Sequence, residues 1–136
     1  MDDVSGELTD KQIGVQRATV QDNYVTQNYP QATIRRYATA DDLATDMSAG
    51  RLDLTFITGP LAQDVLIDRG GFHQVGEPIS KPKSIFGDGI AAAFRQRDRD
   101  LVEAFNEALH TVEQNGTYDR LMHHYFEYDI HPDAAQ

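Results

Sequence analysis

Gln16, Arg17, Thr19, Val20 and Gln21 follow directly on the apolar pair Ile13 and Val15 and precede Tyr24 and Val25. That order reads as a short strand running into a turn at a helix N-terminus, with Thr19 suited to the N-cap and Pro30 close to the helix end. A helix N-terminus offers free backbone N–H groups and the positive end of a dipole, and in α/β folds ligands sit at the carboxyl ends of the strands. The chemistry available is anion binding, not bond making. Taken alone the turn is ordinary, because strand-to-helix turns of this composition are common and most bind nothing.

The other side chains capable of chemistry do not assemble into a catalytic or metal set. His123 and His124 are neighbours, so on a helix they point about 100° apart and cannot share a metal as an i, i+4 pair could. His73, His110 and His131 have no partner at ligand spacing. Asp41, Asp42 and Asp46 share one helical segment and read as a cap and a solvated face. Asp53 opens a strand at the end away from the binding edge. No Ser-His-Asp set, Schiff-base lysine or paired carboxylate can be argued from these spacings, so no catalytic residue, metal ligand or cofactor is expected.

The elements that must position the turn alternate strand with helix, which predicts a mostly parallel sheet covered on both faces. Strands are expected near 12–16, 33–38, 52–57 and 72–77, and helices near 21–29, 40–49 and 60–68. Thr39 and Asp42 form a capping box with aspartate in the glutamate position, Gly50 suits the C′ position, and Pro60 suits the first turn of a helix. The run Ile90-Ala91-Ala92-Ala93-Phe94 reads as a fifth strand. Leu101, Phe105, Leu109 and Val112, then Leu121, Met122, Tyr125 and Phe126, recur at helical spacing on either side of Gly116, as core-packing stripes of two helices.

A chain of 136 residues suffices for one core. No apolar run approaches the roughly 18 residues of a membrane span, and no leader opens the chain. The absence of cysteine removes disulfides and thiolate metal sites. A formal charge of −10 repels phosphates, so no nucleic-acid partner is expected.

Three stretches together resemble one family, the periplasmic solute-binding proteins for polar amino acids, of the lysine/arginine/ornithine, histidine or opine type. Residues 11–22 resemble the opening of that family's second lobe, where a strand leads into G-T-T-Q; here Ala18, Thr19, Val20 and Gln21 occupy those positions. Residues 37–53 look like its helix closing on A-G-R-[IL]-D, and Asn115-Gly116-Thr117-Tyr118-Asp119 with the aromatic 125–129 segment resembles its closing turn and C-terminus. The resemblance implies a three-layer α/β lobe of periplasmic binding protein type II, with a mostly parallel five-stranded sheet and one antiparallel strand. It implies two parts: 1–88 as lobe two, and 89–136 as a strand and two helices that return to lobe one in intact members. With lobe one largely missing, the chain looks truncated, its signal peptide lying outside it and the mature location periplasmic.

The implied function is the ligand-binding subunit of an ABC importer, closing like a clamp on an amino acid or derivative and presenting the closed form to permease subunits. Alternatives on the same scaffold are an enzyme similar to cyclohexadienyl dehydratase or the sensor domain of a receptor kinase. By motif position, the 18–21 turn would give a ligand carboxylate an N–H and the Thr19 hydroxyl, while Val20 keeps an amide and lacks the second hydroxyl. Gln16 would line the side-chain pocket, and Arg17 either faces solvent or adds positive potential. Thr58 stands where many members carry the aspartate that holds the ligand's ammonium, which puts an unmodified α-amino acid in doubt.

Lacking lobe one, residues 89–95 are expected to fold back between the third and fourth strands, giving the order 2-1-3-5-4 and letting 89–136 pack on lobe two. A domain-swapped dimer is the competing outcome.

Overall fold

The computed structural model describes residues 8–126 and Ile130. The chain divides between Gly87 and Asp88 into two compact units. In the first, β1 (Gln12–Gln16), α1 (Val20–Asn28), β2 (Thr33–Tyr37), α2 (Ala40–Ser48), β3 (Leu54–Phe56) and α3 (Gly59–Ala62) follow one another, and α3 continues as a π-helical turn over Gln63–Ile67. A short helix, α4 (Lys83–Phe86), closes the unit. The sheet is parallel, with order β2-β1-β3 and the register Ile13↔Ile34, Val15↔Arg36, Ile13↔Leu54 and Val15↔Phe56.

Period-two alternation assigns the faces. Ile13 and Val15 point to α1, where they join Leu8 and Val25 in a core flanked by Tyr24, Ile34 and Phe56. Burial of each such side chain contributes about 1.5–3 kcal/mol. On the opposite face Gly14 lies beneath α2: a Cβ there would stand 2.5 Å from Leu52 Cδ1 and 3.4 Å from Leu43 Cγ. Ala44, Val65 and Leu66 form a second cluster with Met47, Leu61 and Phe72. Helices thus cover both faces of the sheet, as the three-layer expectation requires.

The 46–53 segment shows why its motif has those residues. Gly50 takes a left-handed φ of 69°. Its N–H reaches Met47 O at 3.1 Å while Arg51 N–H reaches Asp46 O at 3.0 Å, the two bonds of a Schellman C-cap. Arg51 then turns back to Asp46 at 2.7 Å. The Asp46 carboxylate also accepts from the Tyr37 hydroxyl at 2.8 Å, joining α2 to β2. Leu52 is buried over Gly14, and the Asp53 carboxylate accepts the Gln12 N–H at 2.7 Å where the sheet begins. These bonds make 46–53 a structural motif that closes α2 and leads into β3.

Two expected strands are not formed. Residues 72–77 are irregular, with Gly70, Gly71 and Gly76 all at positive φ. Gly76 and a single β-branched residue, Val75, give a poor ladder, and among the described residues no neighbouring strand supports one. Residues 90–94 carry no strand either: Ile90 is fully exposed, and alanines have little intrinsic preference for extended pairing. β3 pairs with β1 alone among the described residues, so the fold-back is absent and the five-strand count becomes three.

In the second unit, α5 (Arg99–Gln114) and α6 (Thr117–Tyr125) form a helical hairpin turned by Asn115 and by Gly116 at φ 74°. Phe94 packs edge-on to Phe105, ring centroids 5.4 Å apart. Of the two stripes only Met122 is buried among the described residues. Leu101, Phe105, Leu109 and Leu121 are exposed, and α5 buries no residue fully. Residues 127–129, the end of the aromatic motif, and His131 lie outside the described residues.

Candidate functional site

Because the three strands are parallel, their carboxyl ends share one edge of the sheet. Three threonines stand there, each as the N-cap of the following helix: Thr19 before α1, Thr39 before α2 and Thr58 before α3. Thr19 Oγ1 accepts the Asp22 N–H at 3.3 Å and Thr39 Oγ1 accepts the Asp42 N–H at 3.1 Å. Thr58 makes no side-chain cap bond and is exposed, so its hydroxyl is not committed to its helix.

The turn after β1 is more constrained than its sequence indicates. Arg17 N–H bonds Tyr37 O at 2.9 Å, extending the ladder one step past β1. Ala18 then adopts a φ of 60°. A left-handed alanine costs roughly 1–2 kcal/mol. Its N–H donates to Asp22 Oδ2 at 3.2 Å. The Thr19 hydroxyl donates to Gln16 O at 2.7 Å, so its proton is directed into the turn. Val20 and Gln21 open α1, where N–H groups precede any intrahelical acceptor.

Asp22 is the residue that sequence reasoning passes over. It is 8% exposed, and its other oxygen accepts from Arg36 Nε at 2.8 Å and from Thr26 Oγ1 at 3.2 Å. Arg36 Nη2 closes the ring on Thr26 Oγ1 at 2.8 Å. The available signal was the Thr-x-x-Asp spacing of 19–22, the same as that of 39–42.

The remaining expected site residues take these places. Gln16 ends β1 half-buried, its amide 3.5 Å from Ala38 O. Arg17 and Val20 are exposed, and Gln21 is half-buried. Gln16, Arg17, Thr19, Val20 and Gln21 are thus contiguous along the β1–α1 turn, and Thr58 follows the neighbouring strand at the same edge. The acidic groups of α2 have protein partners, Asp41 with Arg69 at 3.5 Å, Asp42 with the Thr39 hydroxyl at 2.7 Å and Asp46 with Tyr37 and Arg51. His110 and His123 make local helical contacts with Gln114 and with Asp119 O. A cavity of about 110 Å³ opens at the far end of α1, against Leu8, Asn28 and Tyr29, and is remote from this edge.

No family model matches the chain. Known proteins do. The chain is 32% identical over 111 residues to the arginine-binding periplasmic protein of Mannheimia haemolytica, covering 82% of this chain and 46% of that one. It is 30% identical over 131 residues to the lysine/arginine/ornithine-binding periplasmic protein of Escherichia coli, covering 93% and 50%. It is 29% identical over 128 residues to the histidine-binding periplasmic protein of Salmonella typhimurium, covering 91% and 49%. The chain spans about half the length of the curated relatives it matches. Among solved structures, a mutant of ArgBP from T. maritima superposes with a TM-score of 0.67 at 22% identity, over 91% of this chain and 51% of that one. An ancestral amino-acid-binding protein, described as a precursor of cyclohexadienyl dehydratase, superposes at 0.63 with 19% identity, over 90% and 50%. Both share the fold.

Proposed function

This chain belongs to the periplasmic amino-acid-binding protein family, and from that premise we propose that it supplies one ligand-binding lobe of an ABC importer for a polar or cationic amino acid, or a derivative such as an opine. The observation that carries the reading is the carboxyl edge of the sheet, where the β1–α1 turn and the uncommitted Thr58 hydroxyl come from adjacent parallel strands. The Val20 and Gln21 N–H groups receive the ligand carboxylate at the positive end of α1. Thr19 shapes the turn, since its hydroxyl proton goes to Gln16 O. Gln16 offers an amide to a polar ligand tail, Arg17 adds positive potential, and Thr58 meets the ligand's amino group with a neutral oxygen.

The remaining contacts come from a second lobe. Closure of the two lobes excludes water, and the ligand shifts the population toward the closed form that membrane permease subunits recognise in the periplasm. Calorimetry with L-arginine, L-histidine and L-lysine tests this. The 136-residue chain alone should bind no tighter than about millimolar, and a two-lobed form containing it about a thousandfold tighter, a gap of roughly 4 kcal/mol. Micromolar binding by the single chain would contradict a ligand shared between lobes.

A further inference from the structure

The β1–α1 turn contains a left-handed alanine, at φ 60°, and a nearly buried carboxylate four residues later. Nothing about the alanine favours that conformation. An L side chain resists it, whereas glycine adopts it freely. The turn is therefore held from outside: Arg17 N–H bonds Tyr37 O, the Thr19 hydroxyl bonds Gln16 O, and the one bond to the Ala18 peptide itself comes from Asp22. One oxygen accepts the Ala18 N–H at 3.2 Å. The other accepts from Arg36 Nε at 2.8 Å and from Thr26 Oγ1 at 3.2 Å. Arg36 belongs to β2, which pairs with β1 through Val15↔Arg36. The carboxylate thus ties the turn to both the helix that follows it and the neighbouring strand.

We propose that Asp22 is a positioning residue of the ligand cradle, its carboxylate fixing the left-handed Ala18 peptide, with Arg36 and Thr26 fixing the carboxylate in turn. The assignment rests on the reading of the 16–21 turn as the cradle. Held this way, the first N–H groups of α1, at Val20 and Gln21, keep one orientation whether or not a ligand is present. The anchor also has a chemical consequence. The Ala18 N–H is used within the protein, so it is not among the donors left for a ligand carboxylate.

Amide hydrogen exchange on the 136-residue chain reads the role directly. In Asp22→Asn, the charge-assisted bond becomes a neutral one, and protection of the Ala18 amide should fall about tenfold while the β1 amides of Ile13 and Val15 keep theirs. Asp22→Ala should give a larger local loss. In an Ala18→Gly background, where the left-handed turn needs no external hold, Asp22→Asn should cost less than about threefold. Equal loss in both backgrounds, or equal loss across turn and strand, would overturn the positioning role and leave Asp22 an ordinary stabilising residue.

L-arginine titrated into the same proteins separates this from the reading beneath it. Amide shifts at Val20 and Gln21 should saturate at about fivefold higher L-arginine in Asp22→Ala than in the unmodified chain. If L-arginine left Val20 and Gln21 unmoved in the unmodified chain, the cradle reading would fail, and the exchange comparison would still decide whether Asp22 holds the turn.

Discussion

Leu52 lies over Gly14 so closely that a Cβ on the glycine would stand 2.5 Å from Leu52 Cδ1. A methyl group there would have to displace the end of the Leu52 side chain, which is buried over the central strand. Gly14→Ala should therefore destabilise the chain by about 1–3 kcal/mol through overpacking. The change should appear as a lower urea midpoint at an unchanged m-value. Combining it with Leu52→Ala, which removes the opposing atoms, should give less than the sum of the two single effects. Simple additivity would mean that the two residues do not compete for the same space.

The Tyr37–Asp46–Arg51 chain predicts a stability profile with two edges. Arg51, and then Tyr37, hold the Asp46 carboxyl below its ordinary 3.8. Its contribution is fully present above about pH 4 and is lost as pH falls through the lowered value. Burial, and then Asp46, hold the Tyr37 hydroxyl above its ordinary 10.0. That contribution is fully present below about pH 10 and is lost as pH rises beyond it. Urea midpoints of the unmodified chain and Asp46→Asn should differ by a constant amount at neutral pH and converge in acid. Those of Tyr37→Phe should converge with the unmodified chain in alkali. Curves that stay parallel at both extremes would remove the chain's electrostatic role.

Two left-handed positions make opposite predictions. Gly50 sits at φ 69° with open space around its Cα, so Gly50→Ala introduces only backbone strain and should cost about 1 kcal/mol. Ala18 sits at φ 60°. Ala18→Gly relieves roughly 1–2 kcal/mol of strain and adds about 0.5–1 kcal/mol of unfolded-state entropy, for a modest net gain. Thermal midpoints should move down for the first and up or not at all for the second. A fall for Ala18→Gly as large as that for Gly50→Ala would show that Ala18 is not strained.

What the sequence discloses about this fold follows the range of the forces involved. β1, β2, β3 and the flanking helices are legible because their apolar period, their threonine caps and Gly50 are local signals. The same locality misleads at 72–77 and 90–94. A strand exists only where another strand pairs with it, and neither run finds a partner among the described residues. The binding turn is legible in outline through Thr19 and Pro30. Its anchor is not, because Asp22 acquires its role from Arg36, 14 residues away on a different element. The same distance dependence explains α5 and α6. Spacing marks their apolar stripes, but cannot say what covers them.

The ligand preference proposed above rests on Thr58. Thr58→Asp, placed in a two-lobed form of the protein, restores a charged partner for an ammonium, and charge-assisted bonds are about twice as strong as neutral ones. Affinity for ligands with a primary α-ammonium should rise relative to their N-substituted counterparts by about tenfold, roughly 1.4 kcal/mol. Competition calorimetry with paired ligands reads the ratio. An unchanged ratio would place Thr58 away from the ligand's amino group.

The most direct measurement is a titration of the ¹⁵N-labelled 136-residue chain with L-arginine, followed amide by amide. Shifts should saturate only at about millimolar concentration or above and cluster at residues 17–21 and 58–59, just past the ends of β1 and β3. Shifts centred instead on residues 28–32, beside the cavity at the other end of α1, would contradict the proposed site.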